Sequence, residues 1–168
     1  MVTESKVGMN ESPFWRGVAN TVRRAPWLMA SARVLWRLRQ AKFTAGVVGV
    51  VFNPAGEVLI VEHVFHPYTP WGLPGGWVDR GEDPAYTIQR EIHEELALAV
   101  TVGPVLTVKV DLGNHIDLAY LCYPTGSIGK LSSELLDYRW SAPADLPRLH
   151  SFHDKAVRRA LALSQQVL

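Results

Sequence analysis

Three glutamates spaced for one face of a helix are the clearest sign of chemistry in this chain. Glu91, Glu94 and Glu95 stand within a run that has no helix-breaking residue. Residues three and four positions apart share a helix face, so the three carboxylates lie close together. Like charges crowded in this way repel, and a hard divalent cation such as Mg²⁺ would compensate for them through carboxylate oxygens. The spacing therefore indicates a metal site.

A solvated acidic surface is the alternative interpretation of these glutamates. Glu-rich helix faces are common, and Arg90 could supply the counter-charge because it stands four residues before Glu94. A glycine-rich loop, residues 73–76, precedes the helix and can bring backbone amides and carbonyls close to a ligand. The combination of loop and acidic helix favours a ligand site over a plain surface.

The helix that must position the glutamates has a clear beginning. Asp83 is a good N-cap residue, Pro84 suits the first helical position, and helix-forming residues follow to about Ala97. Apolar residues fall on a second face of this helix. We expect that face to pack against a sheet.

Strand patterns surround this helix. Residues 43–52 and the run VLIVEHVF flank the turn sequence NPAGE and predict a β-hairpin. Strands are predicted at residues 101–111 and 115–123, joined by the turn LGN, and near residues 136–140, with a closing helix at about 152–164. Helices and strands do not alternate regularly, so an α+β fold with a mixed sheet between helices is expected.

An N-terminal helical extension is predicted before residue 43. Residues 1–12 are polar and read as a loose terminus, and residues 14–42 form two helices broken at Pro26. We divide the chain into this basic extension, residues 1–42, and a main domain, residues 43–168. From Pro13 to Gly56 there are seven basic and no acidic residues, and tryptophans alternate with arginines.

The sequence allows several roles for this basic extension. Its basic face could pack on the more acidic remainder of the chain, form a homodimer, cover substrate, or contact a membrane surface. We expect no stable nucleic-acid partner.

Composition bounds the remaining possibilities. The 168 residues, 48% hydrophobic and 20% charged, fit one globular domain with one appended element and exclude a disordered or fibrous protein. The single cysteine, Cys122, lies in an apolar run and predicts a buried reduced thiol and a cytoplasmic setting. We expect neither a signal peptide nor a membrane-spanning segment.

Residues 76–98 resemble the signature of the Nudix (MutT-like) hydrolase family. That signature is a glycine, five residues, a glutamate, seven residues and R-E-U-x-E-E-x-G-U, in which U is bulky and aliphatic. The matching positions here are Gly76, Glu82, Arg90, Glu91, Ile92, Glu94, Glu95 and Leu98. One position departs, because Ala97 replaces the second glycine. A left-handed alanine would cost about 1–2 kcal/mol, so we expect the helix to run further or its exit to differ. The strands around the signature extend the likeness to about residues 44–149.

The resemblance implies roles for the charged residues. Glu94 and Glu95 would be metal ligands, Glu91 a ligand or general base, and the Gly75 carbonyl a further ligand. Arg90 would orient the carboxylates through a salt bridge. The implied cofactor is Mg²⁺, with Mn²⁺ as a substitute.

Other residues are candidates for supporting or contacting the substrate. Glu82 would support the loop or approach the metal through water. Glu134 lies six residues before Trp140, where some relatives carry a late ligand or base, and an exposed loop glutamate is its alternative. The predicted substrate-binding residues are Gly76, Glu82, Trp71, Tyr68 and Arg80. The aromatic residues among them could stack on a base or simply pack. The scattered histidines at positions 63, 66, 93 and 115 show no zinc-site spacing.

The implied reaction is metal-dependent hydrolysis of the diphosphate linkage in a nucleoside diphosphate joined to another group, a small nucleotide-type molecule. The cation would polarise phosphate and acidify water, and a carboxylate would take the proton. A non-catalytic nucleotide sensor is one alternative, although it would be expected to lack the glutamates. An isopentenyl-diphosphate-type isomerase is another, and Cys122 is a poor candidate for the cysteine it needs. The sequence leaves the substrate open.

Overall fold

The computed structural model describes residues 12–111 and 113–164. The predicted loose terminus therefore lies outside the described residues, apart from Ser12. The chain divides into two compact units, Met1–Lys42 and Phe43–Leu168.

The first unit consists of two helices, α1 at Pro13–Arg24 and α2 at Pro26–Arg39. The predicted break at Pro26 is confirmed, and each helix has proline in its first turn, where the missing N–H leaves no bond unmade. α1 has no buried residue. Within the described residues, no helix is long and apolar enough to cross a bilayer.

The second unit contains two sheets with helices packed on them, which confirms the α+β class and the mixed sheet. One sheet has four strands in the order β4-β1-β6-β5, with β1 and β6 parallel, and the other has three antiparallel strands in the order β3-β2-β7. The elements are β1 Thr44–Val51, β2 Val58–His63, β3 Trp71–Gly72, β4 Gly75–Trp77, α3 Pro84–Leu96, β5 Val100–Asp111, β6 His115–Pro124, β7 Leu135–Ser141, a 3₁₀ turn at Pro143–Asp145, and α4 Ser151–Ser164.

The predicted hairpin between β1 and β2 is wrong. Beyond one bridge between Phe52 and Val58, the two strands separate into different sheets. Residues on β1 are buried on both faces: Val47 and Val51 join the core under α3, whereas Val50 joins the core under α4. A strand covered on both faces reads as a continuous apolar run, so its pattern cannot show which neighbour it pairs with. The turn between the strands is nevertheless real.

Helix α3 ends at Leu96, and Ala97 adopts the left-handed conformation with φ 48° and ψ 29°. The expectation of a longer helix or a different exit is therefore wrong. A neighbouring loop explains why alanine tolerates this conformation. Gly129 N–H donates to the Leu96 carbonyl and Ser132 N–H to the Glu95 carbonyl, both at 2.9 Å, and these bonds satisfy the open carbonyls of the helix end.

The substitution Ala97→Gly should increase the free energy of unfolding by about 1 kcal/mol, because glycine enters the left-handed region without steric penalty. Urea denaturation measures this difference. The matched control is Ala99→Gly two residues later, where no positive φ is found and glycine should lower stability instead. A loss of stability in Ala97→Gly would contradict the assigned backbone strain.

Candidate active site

The glycine-rich loop lies directly against β1. Strand β4 pairs with β1, and a Cβ atom built on Gly75 would overlap the Val47 carbonyl oxygen. Glycine at this position therefore permits a backbone approach that no other residue could make. The approach places the Gly75 N–H 3.1 Å from Oε2 of Glu95, to which it donates. The predicted ligand role of the Gly75 carbonyl stays a prediction.

Gly76 makes room for a carboxylate. A Cβ atom at this position would overlap the Glu91 carboxyl group, whose Oε1 would lie at 2.5 Å. Glycine at position 76 therefore allows the Glu91 carboxyl group to pack directly against the loop backbone, which a larger residue would prevent.

Gly76→Ala should lower turnover by up to ~10²-fold, because the added methyl group displaces the Glu91 carboxylate by about an ångström. Steady-state phosphate release at saturating cation measures the effect. Gly126→Ala is the control, since a Cβ atom there meets no atom within 4 Å. Equal activity of the two variants would show that the position of Glu91 does not matter.

Arg90 holds three carboxylates with one guanidinium group. Its Nε and Nη2 donate to the two oxygens of Glu82 at 2.9 and 3.0 Å. Its Nη1 lies 3.0 Å from Glu91 Oε1 and 3.0 Å from Glu94 Oε2. A forked, two-bond pair fixes the plane of the guanidinium group and with it the other two carboxylates. This is the geometry that the predicted orienting role requires.

Glu82 supports the loop. Besides Arg90, it accepts hydrogen bonds from the Thr87 hydroxyl at 2.8 Å and the Asp79 backbone N–H at 3.2 Å. These donors, Arg90 first, lower the pKa of Glu82 to about 2. The side chain is not part of the cleft wall, so the structure favours a supporting role over substrate contact.

Glu95 is buried, and no Lys or Arg of the described residues forms an ion pair with it. Its side chain is 5% exposed and accepts one hydrogen bond, from Gly75 N–H. Burial, together with the carboxylates of Glu91, Glu134 and Glu94, raises its pKa to about 8. Burial also raises the pKa of Glu91, although Arg90 opposes that shift. Negative charge in this cluster thus exceeds what Arg90 neutralises.

Glu134 reaches the same cleft from a distant part of the sequence. It is exposed, lies just before β7, and acts electrostatically on both Glu91 and Glu95. Hydrogen bonds from Val64 N–H to its carbonyl and from its own N–H to Ser132 Oγ fix its backbone, at 3.0 and 3.3 Å. The structure therefore brings the predicted late glutamate together with the helix glutamates.

The donor set fits a hard divalent cation. Four glutamates line the cleft together with Asp79 and Asp117, and no Lys or Arg of the described residues pairs with Glu95, so an oxygen-preferring ion would supply the missing positive charge. Among residues 12–111 and 113–164 no three His, Cys, Asp or Glu side chains are grouped closely enough to hold a metal ion, and Arg90 pairs with oxygens of Glu91 and Glu94. A cation would therefore bind with rearrangement of these side chains.

The cleft that contains the glutamates has a volume of about 660 Å³. One wall carries His63, His66 and His153, and the pKa values of His63 and His153 are lowered to about 4 by burial. The lining also includes His115 and Asp117, which are joined by a 3.1 Å hydrogen bond.

Sequence reasoning missed Asp117 and His153, and it treated the histidines as scattered. His115 and Asp117 stand two residues apart on β6, a spacing that places them on one face of a strand. That spacing could have identified His115 and Asp117 as a pair of candidate site residues. The parallel pairing of β6 with β1, which puts Asp117 beside Gly46 in the cleft, could not be read from it.

Gly76 is the predicted substrate-binding residue that lines the cleft. Arg80 is exposed on the loop before α3 and lies outside the cleft wall, as does Glu82. The exposed histidine on α3, His93, also lies outside it, as its variable position in the signature predicts.

The two predicted aromatic contacts lie in a smaller cavity of about 330 Å³ beside the cleft. Tyr68 is 98% exposed, and the guanidinium of Arg139 lies over the Trp71 ring at 4.3 Å. The structure therefore does not bring Tyr68 and Trp71 to the glutamates. Trp77, 63% exposed and 4.9 Å from the His115 ring, is the tryptophan in the cleft wall.

Comparisons with known proteins bear on the family to which this chain belongs. A family model, the NUDIX domain, matches residues 42–160. A "MutT-like protein" from Streptomyces ambofaciens is 29% identical over 104 residues, covering 61% of this chain and 66% of that protein. The "8-oxo-dGDP phosphatase NUDT18" of Mus musculus is 31% identical over 130 residues, covering 74% of this chain and 40% of its own length.

A solved structure, the MutT NUDIX hydrolase from Burkholderia pseudomallei, superposes with a TM-score of 0.61 at 26% identity, covering 71% of this chain and 98% of that one. The family model spans more than half of the chain, and its residues include the loop, the acidic helix and Glu134. The chain therefore belongs to the Nudix family of hydrolases.

Proposed function

We propose that this protein hydrolyses the diphosphate linkage of a nucleoside diphosphate joined to another group, with Mg²⁺ or Mn²⁺ as cofactor. The observation that carries the proposal is the cluster of Glu91, Glu94, Glu95 and Glu134 in one cleft, in which Arg90 pairs with Glu91 and Glu94 and no Lys or Arg of the described residues pairs with Glu95.

Each residue has a distinct task in this proposal. Glu94 and Glu95 would hold the cation, and the Gly75 carbonyl would add a backbone oxygen. A cation held there would supply positive charge to the phosphate oxygens and would acidify water. Arg90 holds the carboxylates of Glu91 and Glu94 in position through its ion pairs with both.

Proton transfer falls to a carboxylate beside the attacked phosphorus. A water oxygen forms a bond to phosphorus, the bridging phosphorus–oxygen bond breaks, and the water proton passes to the carboxylate. Glu91 suits this task because burial raises its pKa towards the working pH, which makes its carboxylate a better base. Glu134, exposed in the same cleft, is the second candidate.

A nucleotide with an exposed base is the substrate class that the cleft favours. Its volume of about 660 Å³ lies within the usual range for small-molecule sites. The exposed ring of Trp77 offers a stacking surface, and Asp117 offers a carboxylate acceptor for N–H groups of a base. The name of the mouse relative makes 8-oxo-dGDP a first compound to test.

The direct experiment is a phosphate-release screen with the full chain. It should include nucleoside di- and triphosphates with oxidised and normal guanine, nucleotide sugars, ADP-ribose, dinucleotides and capped RNA, each with Mg²⁺, Mn²⁺ or a chelator. We expect release from at least one nucleotide that requires added cation. Cation-independent release, or none from any compound, would overturn the proposal.

The isomerase alternative loses its required residue. Cys122 is 1% exposed in the core under α3, and burial raises the pKa of its thiol to about 12. It is not part of the cleft wall. A thiol held protonated and away from the glutamates cannot take part in chemistry there.

A further inference from the structure

Helix α1 separates apolar and basic side chains onto opposite faces. At 3.6 residues per turn, Phe14, Val18 and Trp15 fall on one side, and Arg16 and Arg23 fall on the other. Phe14 and Trp15 are 68% and 54% exposed. The helix thus presents large apolar side chains to its surroundings next to a basic face.

Helix α2 continues this character. Trp27, Leu35 and Leu38 lie on one broad apolar side and are each more than 60% exposed. Arg33 and Arg37 stand one helical turn apart on another side. From Pro13 to Lys42 the chain has seven basic and no acidic residues. Large apolar side chains exposed together in one segment mark an interaction site.

We propose that the helices at Pro13–Arg24 and Pro26–Arg39 bind the surface of an anionic lipid bilayer. Tryptophan and phenylalanine rings enter the headgroup boundary, where their apolar bodies are covered, and the arginines face the lipid phosphates. Each basic residue near such a surface adds to the attraction, and no acidic residue in the segment opposes it.

Charge complementarity and the tryptophans together select this partner. A nucleic acid would engage the arginines through its phosphates and leave the apolar side chains exposed. A second copy of the chain would cover the apolar side but bring two strongly basic segments together, which repel. A bilayer with anionic headgroups satisfies both the apolar and the basic face.

Vesicle co-sedimentation of the full chain tests the proposal. The probes are vesicles of phosphatidylcholine alone and of phosphatidylcholine with about 30% phosphatidylglycerol. We expect sedimentation with the anionic vesicles at low salt and a marked loss at high salt, because screening weakens the attraction. Absence of sedimentation with the anionic vesicles would overturn the proposal.

Two variants separate the contributions. Arg16→Glu with Arg23→Glu should weaken partitioning by at least about tenfold, and so, separately, should Trp15→Ser with Trp27→Ser. The matched control is Lys155→Glu with Arg159→Glu, which makes the same charge change on exposed positions of α4 and should bind as the unchanged protein does. All variants should keep the same rate of nucleotide hydrolysis in solution.

The remaining outcomes identify another partner. If binding depends on the arginines but not on the tryptophans, the surface binds polyanions in general and the proposal fails. If light scattering shows a dimer that the tryptophan variant dissociates, and vesicles are not bound, the face joins two copies and the proposal fails. If the control variant binds the anionic vesicles as weakly as the arginine variant does, the overall charge of the protein and not this surface causes the binding, and the proposal fails.

Discussion

Glu94→Gln is expected to lower turnover by about 10²–10⁴-fold while the fold stays intact. The Glu94 side chain is 57% exposed, and its one ion pair is with Arg90 at 3.0 Å. An exposed pair of this kind adds only about 0.3–0.5 kcal/mol to stability, so the melting temperature should change little. The large loss of turnover would come from the missing charge at the proposed cation site.

His93→Gln is the control for this variant. His93 is the preceding residue on α3, is exposed, and lies outside the cleft wall. The control should keep full activity, and Glu94→Gln should also need more Mg²⁺ for half-maximal rate. Near-full activity of Glu94→Gln at low Mg²⁺ would overturn the assignment of the site.

Glu95→Gln should change activity and stability in opposite directions. Turnover should fall by about 10²-fold or more, since a cation ligand is lost. In the presence of a chelator, however, the variant should be more stable than the unchanged protein at pH 8.5. Glutamine has nearly the same shape, its oxygen can still accept the Gly75 N–H, and no charge is buried.

The pH dependence of the unchanged protein follows from the same residue. Glu95 has a folded-state pKa of about 8, above its ordinary value of 4.5. The unfolded chain therefore releases this proton first, and the associated stability is present below pH 4.5 and is lost as pH rises towards 8. Without cation, the free energy of unfolding should decrease as pH rises from 4.5 to 8, and added Mg²⁺ should increase it again.

The quantity to measure is the difference in stability between Glu95→Gln and the unchanged protein. This difference is needed because His63 and His153 also titrate, with pKa values lowered to about 4. Their effect has the opposite sign: stability rises as pH increases from 4 to their ordinary value of 6.5. It is common to both proteins and cancels in the comparison. The melting temperatures of the two proteins are measured in chelator between pH 5 and pH 8.5. A difference between them that does not change with pH would contradict the burial of an ionisable Glu95.

The sequence by itself determined the local parts of this protein. The spacing of Glu91, Glu94 and Glu95 specified one helix face, because helical periodicity depends only on neighbouring residues. Asp83 and Pro84 marked where that helix begins, and the structure has Ala85 N–H donating to the Asp83 carboxylate at 2.8 Å. Membership of the Nudix family also followed from this single segment.

Tertiary structure decided what the glutamates contact. Strand β1 is covered on both faces, so its apolar run could not disclose that its partner is β6, and the hairpin prediction failed there. The parallel pairing of these two strands is what places Asp117 in the cleft. The two tryptophans beside the glycine-rich loop also differ in surroundings that only the fold determines, since Trp77 lines the cleft and Trp71 lies in the smaller cavity with the Arg139 guanidinium over its ring.

The position of Glu134 shows most directly how the two levels combine. Its spacing before Trp140 made it a candidate, but an exposed loop glutamate was equally consistent with the sequence. The loop is held by hydrogen bonds from Gly129 and Ser132 to the end of α3, where Ala97 turns left-handed. Sequence determined which carboxylates could act, and long-range backbone hydrogen bonds, which no local pattern encodes, decided that they share one cleft.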